Sequence, residues 1–462
     1  MRIVIDLQGA QSESRYRGIG RYSLELAKEM VRQRGEHEIL IVLSGLFPET
    51  ITPIQDIFKT LLPIEKILVW GASESVVALG EANTKYRHSI ELIRERFLVD
   101  LKPDIVHITS PIADNAIHSI GFSPNRLLTA VTSYDLIPLV YKDIYLTPNP
   151  KFELLYREKL EHLRRANLFL AISDSSRLEA IQYLGINSSD VINISAAVDS
   201  KFKSIKVPYD TERHLRKKFG LQYPFIMYSG ASDPRKNHLR LIKAFAGLPL
   251  EIRNNIQLAI VGKLPKLDRI TFEACIKSCG LNASNIVITD AVTDEEMIIF
   301  YNLCELFVFP SWHEGFGLPV LEAMSCGAPV ICSNTSSLPE VMALQDALFD
   351  PFDERAITAK IEEVLINPIF REELIQHGLR RSKSFSWEKS AKKALAALEN
   401  CVAQQQHLVS EQRILESEEW LNIARHKQKE MLNKFMIRHL KLKLRVIMTI
   451  IYQKTVKRFR SQ

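Results

Sequence analysis

Short apolar runs alternate with amphipathic stretches through the first 195 residues. "RIVIDL" (2–7), "EILIVLSG" (38–45), "KILVWG" (66–71), "DIVHITS" (104–110), "LLTAVTS" (127–133), "LFLAIS" (168–173) and "VINIS" (191–195) are β-branched and apolar at consecutive positions. That is the pattern of strands buried on both faces, as in a parallel sheet. Between them, "RYSLELAKEMVRQR" (21–34), "KFELLYREKLEHLRRA" (151–166) and "DSSRLEAIQYLG" (174–185) carry the helical period. A polar stretch, 196–220, separates this series from a second one. Its strands are "FIMYSG" (225–230), "IQLAIVGK" (256–263), "NIVITD" (285–290), "ELFVFPS" (305–311) and "APVICSN" (328–334), with helices such as 237–248 and 293–304. Strand–helix alternation of this kind predicts doubly wound α/β domains. We read two Rossmann-like domains, 1–195 and 221–385, joined by a linker at 196–220. A closing helix follows at 386–402. Residues 403–462 contain no glycine and no proline and read as a helical extension. Two such domains in series predict a ligand cleft at the carboxyl ends of their strands.

Composition changes this picture little: 46% hydrophobic and 25% charged residues are ordinary for a soluble chain of 462 residues. No apolar run approaches the roughly 20 residues that span a bilayer, and "MRIVIDLQGA" reads as a buried strand and not as a secretory leader. Six cysteines without a regular framework suggest a reducing compartment, so the cytoplasm is the expected address. Charge is more informative. Residues 425–462 hold twelve Lys/Arg against Glu430 alone, a charge of +11, so a net +6 leaves the other 424 residues at −5.

The stretch "EGFGLPVLEAMSCGAPV" (314–330) carries the candidate chemistry. Pro319 suits the first helical position and Gly327 the stop. The N–H groups of Gly315, Phe316, Gly317 and Leu318 would then lie at the positive end of a helix dipole, a ready anion site. Glu322, one turn inside, fits a helix-dipole partner as well as a ligand contact. Glu314 is harder to explain, because a carboxylate beside an anion site repels the anion unless it meets a cation or a hydroxyl. Phosphate in the middle and hydroxyls at both ends describe a nucleotide sugar. In "YSGASDPRKNHLRLI", Arg235 and Lys236 follow the first strand of the second domain and could neutralise a diphosphate. In "SRYRGIGRYSLELA", Gly18 and Gly20 could bring backbone to a ligand, although the last glycine of the dinucleotide fingerprint is replaced by Ser23.

"PSWHEGFGLPVLEAMSCGAPVICSNTSSLPEV" (310–341) resembles the donor-site signature of retaining family-4 glycosyltransferases. "DPRKN" (233–237), "RGIGRY" (17–22), "YDLIPL" (134–139), "ISDSS" (172–176) and "FSWEKSA" (385–391) match further segments of that family in order, over roughly residues 1 to 400. The opening and "YDLIPL" look most like the bacterial mannosyltransferases of O-antigen and other surface polysaccharides. The resemblance implies the GT-B fold, with the first domain on the acceptor side and the second binding a nucleotide-sugar donor. It implies Glu314 at the donor sugar, Glu322 on the ribose, Gly315 to Leu318 on phosphate and sugar, and Arg235 and Lys236 on the departing diphosphate. Gly18 and Gly20 would line the cleft, with Tyr134 and Asp135 at the reacting centre. Two departures stand out. Tyr134 replaces a histidine common in relatives, and Ala231 stands where many carry arginine.

The resemblance further implies no metal and no other cofactor, and the sequence contains no Asp-x-Asp triplet. Front-face displacement is the mechanism expected, and double displacement through Glu314 stays open. The expected donor is GDP-mannose and the expected acceptor a lipid-linked or surface glycan. A UDP-sugar donor, or a catalytically silent scaffold of the same fold, are the alternatives. In the tail, Met436, Leu440, Leu444, Ile447 and Ile451 fall at helical spacing among basic residues. This fits an anionic membrane surface, and equally a protein of an assembly complex. No nucleic-acid module accompanies the charge, so no nucleic-acid partner is expected.

Overall fold

The computed structural model describes residues 1–16, 18–71, 84–112, 120, 127–282 and 284–406. Two fully parallel sheets form its frame. The first contains β1 (Arg2–Asp6), β2 (Glu38–Ser44), β3 (Ile67–Trp70), β4 (Ile105–Ile108), β5 (Thr129–Ser133), β6 (Leu168–Ala171) and β7 (Val191–Asn193), in the order β3-β2-β1-β4-β5-β6-β7. The second contains β8 (Phe225–Ser229), β9 (Gln257–Val261), β10 (Ile286–Ile288), β11 (Leu306–Phe309), β12 (Val330–Ser333) and β13 (Leu348–Phe349), in the order β10-β9-β8-β11-β12-β13.

Successive side chains of each strand enter opposite faces. Ile3 and Ile5 of β1 pack with Leu26 and Met30 of helix Gly18–Arg32. Val4 packs on the other face with Val42, Trp70 and Phe169. Both faces are covered, which is why these strands read as continuous apolar runs.

All twelve strands expected from the sequence are present. The thirteenth, β13, has two residues, pairing Cys332 with Leu348 and Ser333 with Phe349. It is too short to carry a periodic signal. The stretch read as a linker, 196–220, contains helix Tyr209–Phe219, with Leu215 buried and Gly220 ending it in the left-handed region at φ +74°. Its acids, Asp210 and Glu212, sit in the first turn and its cations, Arg216 to Lys218, in the last, as the helix dipole favours. One buried position in eleven residues left no apolar stripe to read.

The closing helix is longer than expected, Trp387–Gln406, and returns to the first domain. Trp387 meets the ring of Tyr22 edge-on at 5.0 Å, and His37 Nε2 lies 2.8 Å from Glu399 Oε1. The basic extension beyond Gln406 lies outside the described residues.

The strand order reverses between β1 and β4 in one sheet and between β8 and β11 in the other. Loops leaving these switch points diverge and open a crevice. The two crevices face each other, and a Cβ on Gly18 of the first domain would lie 3.6 Å from Leu318 Cδ1 of the second.

Candidate active site

A cavity of about 580 Å³ occupies the space between the switch points. Gly18, Arg21, Tyr134 and Asp135 reach it from the first domain. Arg235, Lys236, Glu314 to Leu318 and Glu322 reach it from the second. The loop after β8 delivers the cations and the loop after β11 the acids, so topology brings together two segments about eighty residues apart.

Glu314 is buried between both cations: Lys236 Nζ lies 2.5 Å from Oε1 and Arg235 Nη1 2.8 Å from Oε2. Burial alone would raise this carboxyl, but the charges of Arg235 and Lys236 overcome it and hold it at about 2, against an ordinary 4.5. Burial opposes the charge on Arg235 too, yet Glu314, Asp135 and Asp233 raise it above its ordinary value. Lys236 moves the other way. Its burial and the like charge of Arg235 outweigh Glu314 and lower it. An ion pair alone would raise the lysine, so the two partners do not shift as a simple pair. The cluster is one carboxylate shared by two buried cations, with Asp233 Oδ1 3.7 Å from Arg235 Nε as a further counter-charge.

Opposite these cations, Gly317 takes φ +100° and helix Leu318–Ser325 begins, one residue earlier than the proline suggested. A Cβ on Gly317 would lie 2.6 Å from Leu338 Cδ2, so the turn is open only to glycine. The main-chain N–H groups of Gly315, Phe316, Gly317 and Leu318 make no hydrogen bond among the described residues. The Phe316 ring turns into the core, edge-on to Phe385, so this residue offers its backbone.

Glu322 is also buried. Tyr301 donates to its Oε2 at 3.1 Å, and Arg21 of the first domain lies 3.2 Å from its Oε1. Burial raises its carboxyl despite Arg21. Asp135 is raised by burial, with Arg235 opposing, and its Oδ2 lies against Gly315.

Two expected residues also make structural contacts. Gly20 does not line the cleft. A Cβ there would lie 2.4 Å from the Arg15 Cα and 2.5 Å from the Ser14 carbonyl, so its role is to let the helix start pack on the preceding turn. The Tyr134 hydroxyl lies 3.0 Å from both the Thr109 carbonyl and Ser23 Oγ, and 3.3 Å from the Ile19 carbonyl. Its hydrogen bonds fasten the first-domain loops together.

Sequence reasoning missed Arg21 and Tyr301 as partners of Glu322, and His313 and Glu179 beside Glu314. Arg21 lies inside the quoted "RGIGRY". Tyr301 carries no local signal, since its role arises from the packing of one helix on another. Among the described residues the grouping able to hold a metal is Glu91, Glu158 and His162, none of which lines the cleft.

Two facing parallel-sheet domains thus enclose a cleft between their switch points, lined by two cations and a helix start. Residues 211–381 match the family "Glycosyl transferases group 1". The chain is 31% identical over 374 residues to the O-antigen chain mannosyltransferase B of Escherichia coli, covering 80% of this chain and 93% of that protein. It is 37% identical over 409 residues to the serotype-specific mannosyltransferase WbdA of Escherichia coli, covering 86% of this chain and 47% of that one. The chain therefore spans about half the length of WbdA. Among solved structures, Anabaena HepE in complex with UDP and glucose superposes with a TM-score of 0.61 at 15% identity, covering 87% of this chain and all of that one. WaaG, a glycosyltransferase involved in lipopolysaccharide biosynthesis, gives 0.57 at 15% identity over 86% and 98%. The chain belongs to the group 1 glycosyl transferases and has the GT-B fold.

Proposed function

We propose that this chain transfers mannose from GDP-mannose to a growing lipid-linked or surface glycan, retaining the anomeric configuration. The observation that carries the donor assignment is the pair Arg235 and Lys236 set opposite four unpaired N–H groups, with a carboxylate on either side. Diphosphate suits the middle of that site. Glu322 suits ribose hydroxyls and Glu314 the hexose. The names of the two Escherichia coli relatives support mannose and an O-antigen glycan.

In the reaction, the bond from the sugar C1 to the phosphate oxygen breaks and its electron pair leaves with the diphosphate. The acceptor oxygen bonds C1 on the same face, and its proton passes to a phosphate oxygen. Arg235, Lys236 and the helix start offset the charge that develops. This route needs no metal and no further cofactor. Double displacement through Glu314 fits less well, because both of its oxygens are bound to cations and neither is free to attack.

The purified chain, given GDP-mannose or UDP-hexoses with a mannosyl oligosaccharide, tests the donor. Mass spectrometry should detect a hexose addition from GDP-mannose. Addition from a UDP-sugar instead would overturn the choice of base. A folded protein that neither transfers nor hydrolyses any of these donors is the silent scaffold.

No helix among the described residues is long and apolar enough to cross a membrane. We assign the chain to the cytoplasmic face of the membrane, held there by the basic segment 425–462, with +11 of charge. Flotation with anionic liposomes should carry the full chain and leave behind a chain ending at residue 402. Equal flotation of the two would remove the segment as the anchor.

A further inference from the structure

Helix Asp174–Leu184 of the first domain grips the second domain on both sides of Glu314. Its N-cap, Ser173, donates to the Gly315 carbonyl at 2.6 Å, and Ser176 donates to the same carbonyl at 3.0 Å. One turn on, Glu179 Oε1 lies 2.8 Å from His313 Nε2, and its other oxygen accepts from the Leu136 N–H, beside Asp135. The helix N-terminus itself donates to the second domain, through the Asp174 N–H to Glu340 Oε2 at 2.8 Å. Ser173 and Ser176 are fully buried by these contacts.

The consequence follows from the peptide unit. A trans peptide is planar, so the carbonyl of Gly315 and the N–H of Phe316 point in opposite directions. Two hydroxyls holding the carbonyl on the first-domain side therefore aim the Phe316 N–H away from that side. With the His313 side chain held at the other flank, the residues on either side of Glu314 are both held by one element of the opposite domain. These bonds exist only when the domains are together.

The geometry points to Ser176 and Glu179 as positioning residues that complete the donor site on domain closure, orienting the Phe316 N–H and Glu314. This rests on the donor-site reading above. It gives the segment "ISDSS", which has no part in the proposed chemistry, a definite task. The open enzyme would bind nucleotide through the second domain, and catalysis would wait for the helix.

Ser176→Ala is the first test: it keeps the cap bond from the Ser176 N–H to Ser173 Oγ, and removes the bond to Gly315 together with the 3.1 Å contact between the two serine hydroxyls. Loss of one hydrogen bond that matters in the closed state should lower kcat about tenfold. GDP affinity by calorimetry should change less than threefold, and the melting temperature should stay near that of the wild type. Glu179→Gln, which keeps an acceptor for Leu136, should show the same split. Ser176→Ala with wild-type kcat overturns the inference. So does a kcat loss matched by an equal loss of folded protein, which marks a structural role. Failure of the wild-type chain to bind GDP or any other nucleoside diphosphate would instead sink the donor site itself, so the two failures are distinguishable.

Discussion

Glu314→Gln should lower sugar transfer about 1,000-fold, the scale on which a single group stabilising a transition state acts. The amide keeps the shape of the side chain and loses the charge that orders Arg235 and Lys236. Glu314→Ala should abolish transfer as well, but with a second effect. It leaves Lys236 buried beside Arg235 without its own counter-charge, since Asp233 and Asp135 act on Arg235, and this costs about 3–5 kcal/mol of stability. GDP should restore more melting temperature to this variant than to the wild type, because diphosphate replaces the missing anion. The wild-type pair also has an acid signature. The Glu314 carboxyl is held at about 2 when folded, below its ordinary 4.5. Its stabilisation, on the order of 3 kcal/mol, is complete above pH 4.5 and is lost as pH falls from there towards 2. Glu314→Gln should flatten that limb of the stability curve. An unchanged acid limb would mean that the carboxylate is not paired as described.

Lys236→Ala should lower transfer about 100- to 1,000-fold while costing little stability. The asymmetry with Glu314→Ala follows from the charge count. Removing the acid strands the buried Lys236 beside Arg235, whereas removing this lysine leaves Glu314 paired with Arg235 at 2.8 Å. Burial also lowers the lysine from its ordinary value, so the folded protein already works against its charge. A buried ammonium held against that tendency suits an anionic ligand. Near-wild-type turnover in Lys236→Ala would mean that Arg235 and the helix start suffice for the leaving group.

The sequence made the fold legible because buried parallel strands announce themselves as unbroken apolar runs, and twelve of them did. β13 and helix Tyr209–Phe219 escaped because the one is two residues long and the other buries only Leu215. The site was legible where chemistry sits in one segment. Glu314, the glycines and Glu322 are local, and Arg235 and Lys236 are adjacent. What escaped depends on the meeting of distant elements. Gly20 resembled a cleft glycine until the Ser14–Arg15 turn was seen to fill the space beside it. Arg21 and Tyr301 hold Glu322 from two different helices, and Ser173, Ser176 and Glu179 act across the domain boundary. No local pattern encodes such contacts.

Glu322 is the residue whose meaning changes most in three dimensions. Arg21 and Tyr301 each hold one of its two oxygens, so the ribose contact proposed for it would share the carboxylate with both.

The central claim is that the cleft beside Arg235, Lys236 and Glu314 binds the diphosphate of the donor. Calorimetric titration of GDP into the purified chain and into its folded Lys236→Ala form tests it most directly. The account predicts saturable one-site binding to the wild type, weakened at least tenfold by the substitution. Equal affinity in the two proteins would contradict it.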